Sequence, residues 1–188
     1  MNTEKVTISA QITPNPNTLK FVLDRLILQA GSINFTTVES AKGSPLAEQL
    51  YALSGVNGVM VGPNFVSVTK GFNTDWSTLA APVTDVIQTV LTTVEKPVDD
   101  TLAQRESQSS SSDSAIERRI KEILDDEIRP AVAMDGGDIQ FYSYEDGVVS
   151  LHLQGACSSC PSSTMTLKMG IENRLKEEIP EIVEVVQI

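Results

Sequence analysis

The run at 101–114 limits the possible folds more than any other stretch of this chain. It reads Thr-Leu-Ala-Gln-Arg-Glu-Ser-Gln-Ser-Ser-Ser-Ser-Asp-Ser, with serines at 107, 109, 110, 111, 112 and 114. It has no hydrophobic periodicity, and too little apolar area for burial to offset the entropy of ordering it. Placed near the middle of 188 residues, it splits the chain into two pieces, each the size of a small domain. The expected organisation is a domain over 1–96, a flexible linker over 97–114 and a second domain over 115–188. As random coil, residues 101–114 reach about 20 Å, enough for the two domains to move past one another.

In the first piece, Val6, Ile8, Ala10 and Ile12 alternate with polar residues, as a half-buried strand does. Thr13-Pro-Asn-Pro-Asn breaks that pattern, and 19–23 reads as a second strand. Ser44-Pro45 has the form of an N-cap followed by proline at the first helical position, predicting a short helix to about Leu53 that buries Leu46, Leu50 and Leu53. The stretches 56–61 and 65–70 flank Gly62-Pro-Asn and suggest a hairpin. A longer helix is predicted from Trp76, with Leu79, Val83, Ile87, Val90 and Leu91 at helical spacing. This piece holds neither cysteine nor histidine and presents no catalytic constellation.

In the second piece, Ile116, Ile120, Ile123, Leu124 and Ile128 mark one face of an amphipathic helix, which Arg129-Pro130 should stop. Asp135-Gly-Gly-Asp138 is expected to be a turn rather than a metal site. Strands at 139–144 and 148–153 join through Asp146-Gly147, a strong hairpin signal. Ser162 or Ser163 should cap a helix that buries Leu167, Ile171, Leu175 and Ile179, and 182–186 closes the chain as a strand. The fold class is therefore α+β: two α/β-sandwich-like domains, the second in the order α-β-β-α-β.

Between the last hairpin strand and that helix lie the only two cysteines, Cys157 and Cys160, followed by Pro161. Iron–sulfur clusters, zinc and Cu(I) all take thiolates, and a close dithiol can also cycle with a disulfide. Clusters and structural zinc sites want four protein ligands, and this chain offers two sulfurs. Two copies of the chain are the simplest route to four. A loop at a helix N-terminus should favour thiolate over thiol and lower the cysteine pKa, with neighbouring serines adding hydroxyl donors. A redox dithiol is disfavoured because no βαβ unit precedes the motif; a zinc site shared by two chains stays open. A purely structural pair is disfavoured because both cysteines lie among serines in a turn.

His152, the only histidine, shares a strand face with Val148, Ser150 and Gln154 and should face solvent. Met165 and Met169, one turn apart beside the buried stripe, are expected to pack rather than bind metal. The net charge of −11 argues against a nucleic-acid partner, and no apolar stretch is long enough to span a bilayer. The first residues have neither signal-peptide nor transit character, so the chain is expected to be cytosolic, where thiols stay reduced.

Residues 115–188 resemble the C-terminal NifU-like domain of Nfu-type iron–sulfur carrier proteins. The matching residues are Arg129-Pro130, Asp135-Gly136-Gly137-Asp138-Ile139, Gly155-Ala156-Cys157-Ser-Ser-Cys160-Pro161-Ser162-Ser163, Thr166-Leu167-Lys168 and Gly170-Ile171-Glu172. Residues 6–94 resemble the Nfu N-terminal domain through Thr13-Pro-Asn-Pro-Asn-Thr-Leu-Lys20-Phe21, Ser44-Pro45-Leu46-Ala47 and Trp76. The resemblance implies a non-enzymatic carrier or scaffold that holds a 4Fe–4S cluster between two protomers and transfers it to apo-proteins. Cys157 and Cys160 match the cluster ligands of that family. It also implies a cluster-bridged homodimer, with apo iron–sulfur targets and an upstream assembly scaffold as partners. The N-terminal domain would serve in recognition or as a structural partner.

Overall fold

The computed structural model describes residues 5–99, 114–158 and 161–188, so all of the serine run but Ser114 lies outside the described residues. The chain divides into two compact units, Met1–Gln108 and Ser109–Ile188.

Alternating and β-branched stretches in the first unit pair into one antiparallel sheet. Its strands are β1 (Ile8–Ile12), β2 (Thr18–Leu23), β3 (Ile33–Phe35), β4 (Val56–Val61) and β5 (Phe65–Lys70), in the order β1-β2-β5-β4-β3. Helices α1 (Pro45–Tyr51) and α2 (Trp76–Thr93) cover the sheet. Leu46 and Leu50 of α1 and Leu79, Val83, Ile87 and Val90 of α2 join Phe21, Phe35, Val59 and Val66 in a single buried cluster. Ser44 caps α1 by accepting from the Ala47 N–H, as the Ser-Pro pair predicts. The Thr-Pro-Asn-Pro-Asn break is a built turn: Asn15 and Thr18 are buried, Thr13 Oγ1 donates to the Asn15 carbonyl, and Trp76 Nε1 donates to the Pro16 carbonyl. β3 is not foreseen from sequence, because three residues are too few to display alternation. The folded unit also runs past residue 96: Val98 is buried in its core, and the Pro97 carbonyl accepts from the Leu46 N–H at 3.0 Å.

The second unit opens with α3 (Ala115–Ile123), whose start is a capping box between Ser114 and Glu117. Pro130 does not stop the helical path. The backbone widens into a π-helical turn at Leu124–Ile128 and continues as α4 (Arg129–Met134). Proline lacks an N–H and its ring collides with the carbonyl four residues back, and a wider turn makes room for both. The Arg129 N–H accordingly reaches back to the Leu124 carbonyl.

Strands β6 (Gly137–Glu145) and β7 (Val148–Gly155) form the expected hairpin. Asp146 (φ 50°) and Gly147 (φ 84°) both take positive φ, the conformation a two-residue hairpin turn needs. Helix α5 (Pro161–Glu178) then carries the chain to β8 (Glu184–Gln187), which pairs parallel to β7. Pro161 stands at the helix start, so Ser162 and Ser163 lie within the first turn instead of capping it. Ile171, Leu175 and Ile179 pack on Ile120, Ile139, Val149 and Leu151, and each such burial contributes about 1.5–3 kcal/mol. Arg174 fastens α5 to the π turn through two hydrogen bonds to Glu127, at 2.6 and 2.8 Å.

Candidate functional site

The thiol loop leaves the carboxyl end of β7 at Gly155 and leads into α5. Its base is tied to the turn before β6: the Ala156 N–H donates to the Gly136 carbonyl at 3.1 Å, and Gly137 stands opposite Gly155 in the hairpin register. Ser158 closes the turn, its Oγ donating to the Gly155 carbonyl at 2.9 Å. Cys157 projects inward, 6% exposed, and belongs to the buried cluster of this unit. Cys160 lies outside the described residues.

The sequence expectation for the thiol is reversed at Cys157. Burial pushes its pKa from 9.0 up to about 12, with the Asp135 and Asp138 carboxylates adding to the rise. Desolvation of the charged form outweighs the helix terminus, which begins only at residue 161. The thiol is therefore held neutral in the folded unit. Serine neighbours in sequence suggested an exposed turn, yet the side chain points into the core.

Two residues of the Asp135–Asp138 stretch, expected only to turn the chain, shape this pocket. At Gly137 the backbone passes so near that a Cβ there would sit 2.5 Å from Cys157 Sγ. Next to it, Asp138 is buried and held by Arg129, whose Nε lies 3.0 Å from Oδ1 while Nη2 donates to the Ile139 carbonyl at 2.9 Å. Arg129 also reaches Asp125 at 2.6 Å, across the π turn that re-aims it. Asp138 is thus the first polar residue of a strand, where the sequence puts it in a tight turn. The Gly-Gly pair is the one sequence signal that pointed here, because glycine often marks close backbone approach.

Other expectations divide. His152 is exposed and stacks T-shaped with the Tyr142 ring, at 6.1 Å between centroids, in keeping with a solvent-facing side chain. Gln154, assigned to the same face, is buried opposite Asp138, and its side-chain oxygen has no hydrogen-bond partner. Met165 and Met169 do not pack into the core: they are 67% and 60% exposed. The stripe at 167, 171, 175 and 179 already fills the buried face of α5, which turns 165 and 169 outward. Among the described residues, no three His, Cys, Asp or Glu side chains come together to hold a metal ion, and no helix is long and apolar enough to cross a membrane.

The NifU-like domain family matches residues 120–186, and the family described as scaffold protein Nfu/NifU N terminal matches residues 8–94. The human mitochondrial NFU1 iron–sulfur cluster scaffold homolog is 42% identical over 182 residues, covering 96% of this chain and 71% of that protein. The mitochondrial NifU-like protein 4 of Arabidopsis thaliana is 40% identical over 179 residues, covering 93% of this chain and 63% of that protein, so it is considerably longer. The solution structure of a NifU-like protein from Saccharomyces cerevisiae has a TM-score of 0.48 at 25% identity, over 53% of this chain and 90% of that one. The cytosolic expectation does not stand: these curated relatives are mitochondrial, and the character of a few N-terminal residues does not outweigh similarity along nearly the whole chain. With both domain families matched in order and a relative this similar, the chain belongs to the Nfu/NifU family of scaffold proteins.

Proposed function

We propose that this protein is a non-enzymatic iron–sulfur scaffold that holds a 4Fe–4S cluster between two copies of itself and passes it to apo-proteins. Cys157 and Cys160 of each copy are the proposed ligands. The observation that carries the reading is the placement of Cys157 on the loop between β7 and α5, with the only other thiol of the chain three residues on. Clusters of this type take four cysteine thiolates, and two copies supply four. The iron–sulfur scaffolds among the relatives support the cargo. The rival thiol–disulfide oxidoreductase expects a βαβ unit ahead of its thiols, and here helices and a β-hairpin precede them.

Anaerobic reconstitution, followed by visible absorption and Mössbauer spectroscopy, tests the reading. The expected product carries about four iron and four sulfide per two chains and gives its cluster to an apo-acceptor. Uptake of zinc with no cluster under the same conditions would replace this reading with a zinc-bridged dimer. Catalytic reduction of a disulfide without iron would replace it with the redox one.

A further inference from the structure

A sheet edge offers unpaired N–H and C=O groups to any passing strand, and natural edges are shielded by charge, proline, bulges or brevity. Three of the four edges among the described strands follow that rule. β3 has three residues, β6 carries a bulge between Phe141 and Ser143, and β8 is four residues long and opens on Glu184. β1 does not. Ile8-Ser-Ala-Gln-Ile12 has no charge, no proline and an unbroken register against β2, and all of it but Ile8 is exposed. Ile12 is 91% exposed.

Hydrogen-bond direction alternates along an antiparallel strand, so one anchor fixes which groups are open. The Asp24 N–H donates to the Thr7 carbonyl at 3.2 Å, so Thr7, Ser9 and Gln11 bond toward β2 while Ile8, Ala10 and Ile12 turn their N–H and C=O outward. Val6 turns outward too, and there α2 closes the edge. The Gln88 amide, in the orientation that satisfies both groups, donates to the Val6 carbonyl at 2.7 Å and accepts from its N–H at 3.0 Å. The side chains of Ile8, Ala10 and Ile12 share a face with Leu23, Phe21 and Leu19, which belong to or pack on the buried cluster. The core face of the sheet therefore runs out to a bare Ile12.

We infer that β1 pairs with β1 of a second copy of this chain, antiparallel and two-fold about Ala10, joining two five-stranded sheets into one. The strand has the same character read in either direction: β-branched, polar, small, polar, β-branched. This register sets Ile8 against the partner's Ile12, Ser9 against the partner's Gln11, and Ala10 against its own mate. Every outward main-chain group then meets another outward group, and the two isoleucine pairs are β-branched pairs on the core face. Charge permits the approach: residues 1–96 carry six Lys or Arg against seven Asp or Glu, so most of the net charge of −11 lies elsewhere. The contact uses only the first unit, which holds no cysteine, and is independent of the cluster reading. Five residues a side are few beside the about 1,200 Å² that stable complexes bury, so dilute chains stay single and the pairing is read by trapping it.

The test places one thiol on the edge of the full-length chain, Ala10→Cys, with Cys157→Ser and Cys160→Ser removing the native thiols. Trp76 fluorescence confirms that the first unit is folded, and alkylation rates correct for thiol accessibility. The control is Val38→Cys in the same background, at a position 57% exposed and outside any strand. On air oxidation the Ala10→Cys chain should form disulfide dimers at least about tenfold faster than the control, because the pairing sets the two Cα atoms about 5.5 Å apart, within disulfide range. Adding Ile12→Lys, a charge of the kind that shields natural edges, should abolish that advantage. Equal rates for Ala10→Cys and Val38→Cys overturn the inference, and so does an advantage that survives Ile12→Lys. If the rates are equal and Ile12→Lys alone slows delivery of a cluster to an apo-acceptor, the edge belongs to a strand of the acceptor instead.

Discussion

Gly137→Ala puts a methyl group where the fold has no room for one. The added Cβ would lie 2.5 Å from Cys157 Sγ, 2.8 Å from the Gln154 carbonyl oxygen and 3.1 Å from Cys157 Cβ. Carbon atoms in ordinary contact sit about 3.5–4 Å apart, so something must shift by roughly 1 Å. The Gln154 carbonyl is β7 backbone, paired in register with Asp138, and yields only by straining the hairpin. Cys157 is the side that gives way. Overpacking of this size costs about 1–3 kcal/mol, and each kcal/mol lowers Tm by about 4–8 °C in a domain of this size. Calorimetry reads the loss, while fluorescence of Trp76, the only tryptophan, reports the first unit and should not change. Gly170→Ala is the matched control: no atom lies within 4 Å of its added Cβ, and alanine in an exposed helix should stabilise by about 0.5–1 kcal/mol. If Gly137→Ala melts with wild type and its Cys157 thiol stays as shielded, the close approach of Gly137 to that thiol is refuted.

Arg129→Met removes the guanidinium that pairs with buried Asp138 and should cost roughly 3 kcal/mol in urea unfolding of the second unit; an unchanged midpoint refutes that role. Arg174 holds Glu127 below its ordinary value of 4.5, and Arg119 followed by Arg174 does the same for Glu178. Lowered carboxylates contribute stability above pH 4.5 that is lost as pH falls through their folded values, so Arg174→Ala should unfold with a shallower acid dependence. The raised Cys157 has the opposite sign: stability is full below pH 9.0 and declines as pH climbs toward about 12, a slope that Cys157→Ala should lack. In apo Cys160→Ser protein at pH 8, alkylation of Cys157 should run at least about a hundredfold slower than in unfolded chain. His152→Ala should leave iron content unchanged, since the side chain faces solvent.

Most of the fold was legible because it follows from repeating patterns. The β4–β5 hairpin at 56–61 and 65–70 has the bounds that its β-branched runs give it, and Asp146-Gly147 takes the positive φ values its composition demands. The failures fall where no period exists. Ile33–Phe35 is too short to alternate, and Pro130 breaks a helix only when the backbone cannot widen, a choice made by the π turn and by the packing of Leu124 and Val132. Cys157 lies past the end of β7, where alternation no longer says which way a side chain points. Its serine neighbours suggested exposure, whereas the side chain joins the buried cluster and the backbone of Gly137, twenty residues earlier, passes close beside it. Met165 and Met169 depart from the packing expectation because apolar character alone does not separate a core position from an exposed one.

Native mass spectrometry of the anaerobically reconstituted protein counts chains and cluster atoms in one particle. The expected mass is two chains plus one 4Fe–4S cluster, reverting to single chains when the cluster is stripped, with Cys157→Ala and Cys160→Ala each remaining cluster-free. A single chain carrying a complete cluster, or either cysteine variant retaining one, would contradict it.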